Sequence, residues 1–505
     1  MNRTLPFLVL LLAATSVAAA KRTSQTTANR EPTPNRSSAT TPRERSTTSR
    51  PAARRPSETN QETPDGEVAS DDPTDSDANP EQAGGETEDL DAAIENEAPG
   101  DGPAGASGTR RRDNLAPPSF LDRIFGTKGV PLQMTRAATT STAQPRSLAD
   151  DPQLDVDHVR DEAGQRFATA QWHGGDAGLE QLSEVANLRW LDLERTQVTD
   201  NGLKHVAGLT SLRAIKIGQT RIGDAGVAQV CALTQLEGLA LNGTRTTSAA
   251  LDDVARLQRL RVLNLSWTVV TDEGLACLKP LTRLEELYLY DAKITDKGLV
   301  HLRGMHHLTA LKLTWNKISD AGLVNLVGLH NLQSLWLGYT QITDAGLAKL
   351  RTLDALQRLY LSDTLLTDAA AEHLIAFHNL KALELTNTSL GDAGLARLAG
   401  LARMEELSLD GTPVTGAGLR YVSRMANLGF LSLAGTKVDD AGLAHLARLQ
   451  KLEVLNLTET QVGDTGLAVL ELLPSLHTLQ LRRTKVTDAR IAELKRARPK
   501  LEIVR

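Results

Sequence analysis

Asp200, Asp224, Asp272, Asp296, Asp320, Asp344, Asp368, Asp392, Asp440, Asp464 and Asp488 recur at 24 residues or multiples of 24. A carboxylate ladder of that regularity is what a calcium array or a series of acid–base groups would need. Its context points elsewhere. Each Asp directly precedes an apolar pattern of period three to four, and Ser248 and Gly416 take its place in two units. The column is therefore expected to N-cap helices, accepting first-turn N–H groups and complementing the helix dipole. A second column holds His306, His330, Asp354 and His378, with His307 beside the first. At about 5 Å per row, three of these donors could reach one zinc ion. No closed ligand spacing such as H-E-x-x-H accompanies them, so they read as polar bends and no metal site is assigned. No nucleophile motif or phosphate-binding glycine loop is present either. The expectation is a protein that is not an enzyme and needs no cofactor.

The elements that position these columns follow from the apolar spacing. A leucine recurs every 24 residues from Leu188 through Leu212, Leu236 and onward to Leu476, with Met404 in one place. Each unit reads approximately L-x-x-L-x-L-x-x-T-x-[VI]-T-D-x-G-L-x-x-L, as from Leu332 to Leu350. The L-x-L segment alternates as a strand does, so Leu335 and Leu337 face inward while Ser334, Trp336 and Gly338 face outward. The Thr after the strand (Thr196, Thr220, Thr244 and so on to Thr484) is placed to satisfy backbone groups at the bend, with Ala292 and Asn316 as adjacent exceptions. Glycines such as Gly202, Gly226 and Gly346 near the helix start are expected to let neighbouring helices approach closely. About 13 such units stack into an α/β solenoid, a horseshoe with a concave parallel β-sheet and convex α-helices.

These motifs resemble the leucine-rich repeats, in particular bacterial exported relatives of the cysteine-containing repeats of F-box proteins. The resemblance covers Leu188 to Leu494 and implies an interaction scaffold. It also implies an alternative, a substrate-recognition adaptor of a ubiquitin ligase or a secreted effector. Leu115-Ala-Pro-Pro-Ser-Phe120-Leu121-Asp-Arg-Ile124-Phe125 is similar to a first F-box helix, but Gly126, Gly129 and Pro131 follow where further helices are needed.

Composition divides the rest. Residues 1–20 carry Arg3, an apolar run from Leu5 to Ala14 and Ala18-Ala19-Ala20, the pattern of a cleaved signal peptide. A secreted, periplasmic or cell-surface protein is expected, with no integral membrane span after cleavage. Residues 21–114 are a charged, Thr/Ser/Pro-rich linker without the apolar periodicity to fold. Its first part, 21–57, is basic and suited to electrostatic attachment, whereas Glu58 to Asp101 contains no Lys or Arg. Residues 115–163 are assigned to a short amphipathic segment and N-terminal cap region, and 164–505 to the repeat domain. A degenerate unit near Gly164 keeps Asp176, Gly178 and Leu179 but lacks the leucine strand. Residues 1–113 hold 13 basic and 19 acidic side chains and the remainder 43 of each, so no basic face for nucleic acid is expected. Cys231 and Cys277 lie two units apart, too far for a disulfide, and read as inert thiols.

Function should reside in the outward strand positions. Trp267, Tyr288, Tyr290, Trp315, Trp336, Tyr339 and Tyr360 occupy them in units 4–8, seven of the chain's ten Trp and Tyr residues. Tyr and Trp favour strands, and cross-strand pairing alone would explain some of them. That account predicts aromatics in every unit, whereas Gly238, Ala240, Ser408 and Ser432 fill the flanking columns. The cluster reads as a binding patch for a protein or polysaccharide, bordered by Lys312, Arg358, Glu286, Asp291 and Asp363.

Overall fold

The computed structural model describes residues 153–160 and 165–505. The signal-like stretch, the charged linker and the F-box-like segment 115–125 lie outside the described residues. Sixteen strands form one open sheet in chain order. β1 (Leu154–Arg160) and β2 (Arg166–Trp172) are antiparallel, and every later pair is parallel. From β3 (Leu188–Asp192) to the strand Thr478–Gln480, equivalent residues 24 apart lie in register, as Leu311, Leu335 and Leu359 do. This is the horseshoe solenoid that the repeat predicts.

The alternation of the strand and the three-to-four period of the helix send their leucines to one shared interior. Leu332, Leu335, Leu337, Ile342, Leu347, Leu350 and Leu353 of a single unit are all fully buried, and each stacks on its counterparts in neighbouring units. At about 1.5–3 kcal/mol per fully buried aliphatic side chain, this column packing is what orders such short elements. Twenty-four residues leave little chain for the convex side, where the helices span only four to seven residues, as in Asp344–Lys349, and several are 3₁₀ turns. The longest, Asp488–Ala497, ends the array.

The Thr column behaves as its position predicts. In all eleven units that carry it, the hydroxyl donates to the carbonyl three residues earlier at 2.5 to 2.9 Å, closing the bend below the strand. Asn316 repairs the gap left by Ala292. Its buried amide donates to Leu289 of the preceding unit at 2.6 Å and to Leu313 of its own at 3.0 Å, while its oxygen accepts from the Ile294 N–H.

The Asp ladder is not the N-cap of its own helices. Thr343 is the cap before Asp344–Lys349 and accepts from the Ala345 N–H. The carboxylate of Asp320 reaches instead into the next unit, accepting from the Thr343 N–H at 2.8 Å and the Thr343 hydroxyl at 2.6 Å. The same bridge joins Asp176 to Thr199, Asp224 to Thr247, Asp296 to Ser319 and Asp392 to Thr415. Each Asp thus holds the cap of the following helix, where its charge also meets that helix's positive end. This corrects the role of the glycines as well. A Cβ placed on Gly346 would lie 2.2 Å from Asp320 Oδ1, and on Gly322 2.3 Å from Asp296 Oδ1. The glycine clears a pocket for the neighbour's carboxylate. The first turn is 3₁₀ where alanine stands there, at Ala250 and Ala370, and also at Gly418.

Both ends of the array are covered. The first unit does contain a strand, contrary to the sequence expectation: Ala168, Ala170 and Trp172 of β2 enter the core where leucines would, and small residues hid the pattern. β1 then pairs antiparallel along its outer edge. At the other end Arg490 replaces the glycine, and the basic run leads to a final strand Glu502–Val504. Arg498 donates to the carbonyls of Leu470 and Leu476 at 2.6 and 2.7 Å.

Candidate ligand-binding face

The outward positions of the strands form a continuous face, and residues 24 apart on it are neighbours on adjacent strands about 4.8 Å apart. The aromatic residues are brought together there as cross-strand pairs. Trp336 and Tyr360 stack with ring centroids 5.0 Å apart and planes within 3°, and Trp315 and Tyr339 stack at 4.3 Å and 17°. Trp267 and Tyr290 meet at 4.8 Å with planes inclined by 56°. Each pair contributes about 0.5–1.5 kcal/mol beyond its buried area. Cross-strand pairing is therefore part of what these rings do.

Their exposure differs. Tyr360 is only 5% exposed and backs Trp336, whereas Trp267 is 51% exposed. Tyr288, Tyr290, Trp315, Trp336 and Tyr339 are half-buried. Trp267, Trp315 and Tyr339 share one column, seven residues after the repeat leucine, whose backbone is left-handed in every unit from Arg195 to Arg483. Gly243, Gly411 and Gly435 occupy it at φ 66°. A non-glycine residue there costs on the order of 1 kcal/mol. Trp267, at φ 54°, carries that cost without the compensation of burial.

The bordering charges are placed unequally. The Lys312 ammonium lies 5.1 Å from the Tyr290 ring centroid, and burial holds it below the usual lysine range against the pull of Glu384. Asp363 accepts from Asn387 Nδ2 at 3.1 Å. Burial first, and then the neighbouring Asp363, raise the pKa of the Tyr339 hydroxyl. Asp291 is drawn to Lys293 at 3.7 Å, and Glu286 accepts from the Tyr288 hydroxyl. Arg358 is half-buried beside Tyr360 on the same strand.

Sequence reasoning missed two features of this face. Towards the N-terminus it continues as an apolar cluster of Phe167, Trp190, Ala214 and Val262, on which Val159 and Tyr288 pack. Past Tyr360, Glu384 follows in the same column, Glu406 lies on the next strand and Asp410 just after it. Desolvation pushes Glu384 and Glu406 up to about 7 and Asp410 up to about 6. The signal was present in the outward columns, but only the face shows these carboxylates crowded against the aromatic stacks.

The histidine column is dispersed along the exposed bends. The Nδ1 atoms of His306 and His330 approach the carbonyls of Gly328 and Thr352 in the next unit, and among the described residues no three His, Cys, Asp or Glu side chains converge on a metal position. Cys231 is buried, its thiol pushed up to about 12, mainly by desolvation, and Cys277 is free and partly buried. No helix among the described residues is long and apolar enough to cross a membrane.

A family model described as a leucine-rich repeat region matches residues 172–436, and a second, a leucine rich repeat, matches 448–470. The chain belongs to the leucine-rich repeat family. No curated protein resembles it in sequence. Solved structures with a similar fold include an internalin from Listeria monocytogenes, 24% identical, covering 60% of this chain and 82% of that one with a TM-score of 0.48. A leucine-rich repeat protein of Leptospira interrogans is 20% identical over 64% of this chain and 80% of its own, at a TM-score of 0.46. The ectodomain of a plant receptor kinase from Arabidopsis thaliana, solved with Casparian strip integrity factor 2, is 18% identical over 64% of this chain and 47% of its own, at 0.36.

Proposed function

We propose that the chain is a non-catalytic binding scaffold, exported or at the cell surface, that captures a protein or glycan ligand on the aromatic face of units 4–8. The observation that carries this reading is Trp267, a large ring half open to solvent at a backbone position where glycine would be cheaper. Its contact with Tyr290 stabilises the pair but leaves half of the ring exposed. Rigid aromatic anchors are the residues that dominate recognition surfaces. Export is supported by Arg3, the apolar run and the alanines before Lys21.

The test is a binding screen of the purified chain against surface proteins and polysaccharides, repeated with Trp267→Ala, Trp315→Ala and Trp336→Ala combined. Tyr360 is left in place because it is packed within the sheet face. Loss of about 2 kcal/mol or more in affinity, roughly thirtyfold, is expected with an unchanged circular dichroism spectrum. Undiminished capture by the triple variant would reject the aromatic face as the site.

A further inference from the structure

The aromatic face carries more carboxylates than cations. Over units 5–10 its outward positions hold Glu286, Asp363, Glu384, Glu406 and Asp410 against Lys312 and Arg358 as cations, while Asp291 is drawn to Lys293. Among the described residues no cation lies within ion-pair distance of Glu384 or Asp410, and the attraction of Arg358 does not overcome the burial of Glu406. Glu384 accepts only a long 3.5 Å hydrogen bond from Thr386 and one from Ser362, and Asp410 accepts from Ser432 and the Ala434 N–H. A partly desolvated carboxylate whose burial outweighs the cations around it is stabilised by a ligand that brings another.

The rings narrow the choice further. Because Trp336 and Tyr360 lie parallel across adjacent strands, as Trp315 and Tyr339 nearly do, each ring gives one face to its partner and so loses that face to a ligand. A sugar ring needs an open aromatic face to lie on. An extended aliphatic stem needs no such face and packs on whatever part of the rings the stacks leave exposed. The chain already combines cations with this face three times: Lys312 over Tyr290, Lys216 over Trp190 at 5.6 Å and Arg189 over Phe167 at 5.4 Å.

We propose that the occupant of this face is a protein segment presenting arginine side chains, whose stems lie on Trp336 and on the Trp315–Tyr339 stack and whose guanidinium groups pair with Glu384 and Glu406. Arginine fits better than lysine because its planar fork bonds carboxylates in pairs and is more weakly hydrated, so it loses less on entering a half-buried site. The inference rests on the aromatic-face reading above and adds the chemistry of the partner.

The experiment measures binding of a synthetic arginine-rich peptide to the full chain at about 0.15 M salt, where long-range attraction is screened. Peptides with lysine or glutamate in place of arginine and a neutral glucan oligosaccharide serve as comparisons. The arginine peptide should bind several-fold more tightly than the lysine peptide, and the glutamate peptide and glucan should not bind. The double variant Glu384→Gln, Glu406→Gln should weaken the arginine peptide by about tenfold or more, with the far-ultraviolet spectrum retained. The acidic stretch 58–101 is common to both proteins, so the difference between them reads the face alone. Equal binding by the parent and the Gln variant, or a preference for the glucan, overturns the proposal. Loss on Trp336→Ala with no loss in the Gln variant overturns it while leaving the aromatic face standing. Loss in the Gln variant with none on Trp336→Ala removes the aromatic reading and, with it, the placement of the stems.

Discussion

Asn316 stands where eleven other units carry threonine, next to the one unit that carries alanine. A threonine hydroxyl serves one carbonyl, whereas the longer amide serves two units at once, so the pair Ala292/Asn316 is a matched exception. Asn316→Thr should restore the bond to Leu313 but leave the Leu289 carbonyl with only the Ala292 N–H at 3.3 Å. A loss of about 1–2 kcal/mol in urea unfolding is expected. Adding Ala292→Thr should return most of it; an additive double variant would show the coupling to be absent. The threonine contacts were legible in the sequence because donor and acceptor lie three residues apart. The Asp contacts were not. Their partners lie 23 residues on, at a distance set by how one coil seats on the next.

At the scale of elements, a solenoid must protect its two ends, since each coil is covered only by its neighbours. The C-terminal cover was readable from the displaced glycine at Arg490 and the basic run after it. The N-terminal cover was not: β2 enters the core through Ala168, Ala170 and Trp172, and β1 pairs with it against the direction of the rest of the sheet. Leucine spacing says nothing about such a strand. Arg498 closes the other end by holding the carbonyls of Leu470 and Leu476, on either side of the last coil boundary. Arg498→Ala should cost about 1–3 kcal/mol there. Amide exchange should accelerate over Gly466–Ala497 while units around Leu335 keep their protection; uniform acceleration along the chain would contradict a terminal role.

Across the whole molecule, curling 13 units into one sheet crowds their outward side chains. Glu384 is desolvated between Tyr360 and the strand of Glu406, with Asp410 and Asp363 adding repulsion and Ser362 and Thr386 opposing it. Glu406 is raised by burial against the attraction of Arg358, with Glu405 adding to the rise. A carboxyl with a pKa of about 7 in the folded chain and an ordinary value of 4.5 when unfolded binds its proton more tightly in the native state. Stability is therefore expected to fall as pH rises between those two values, by on the order of 1 kcal/mol per group after allowance for partial exposure. Urea midpoints measured across that window should decline less steeply in Glu384→Gln. An unchanged slope would mean that the carboxylate is fully solvated on the face.

The sequence by itself determined the repeat, its inward leucines, the threonine bends and the position of the aromatic cluster, because each is a periodicity or a contact within one unit. Only the tertiary structure decided that the Asp ladder joins successive coils, that the glycines make room for it, and that the aromatic rings stand stacked beside desolvated carboxylates. Those relations run between residues about 24 or more apart, and their distances exist only once one coil has packed against the next.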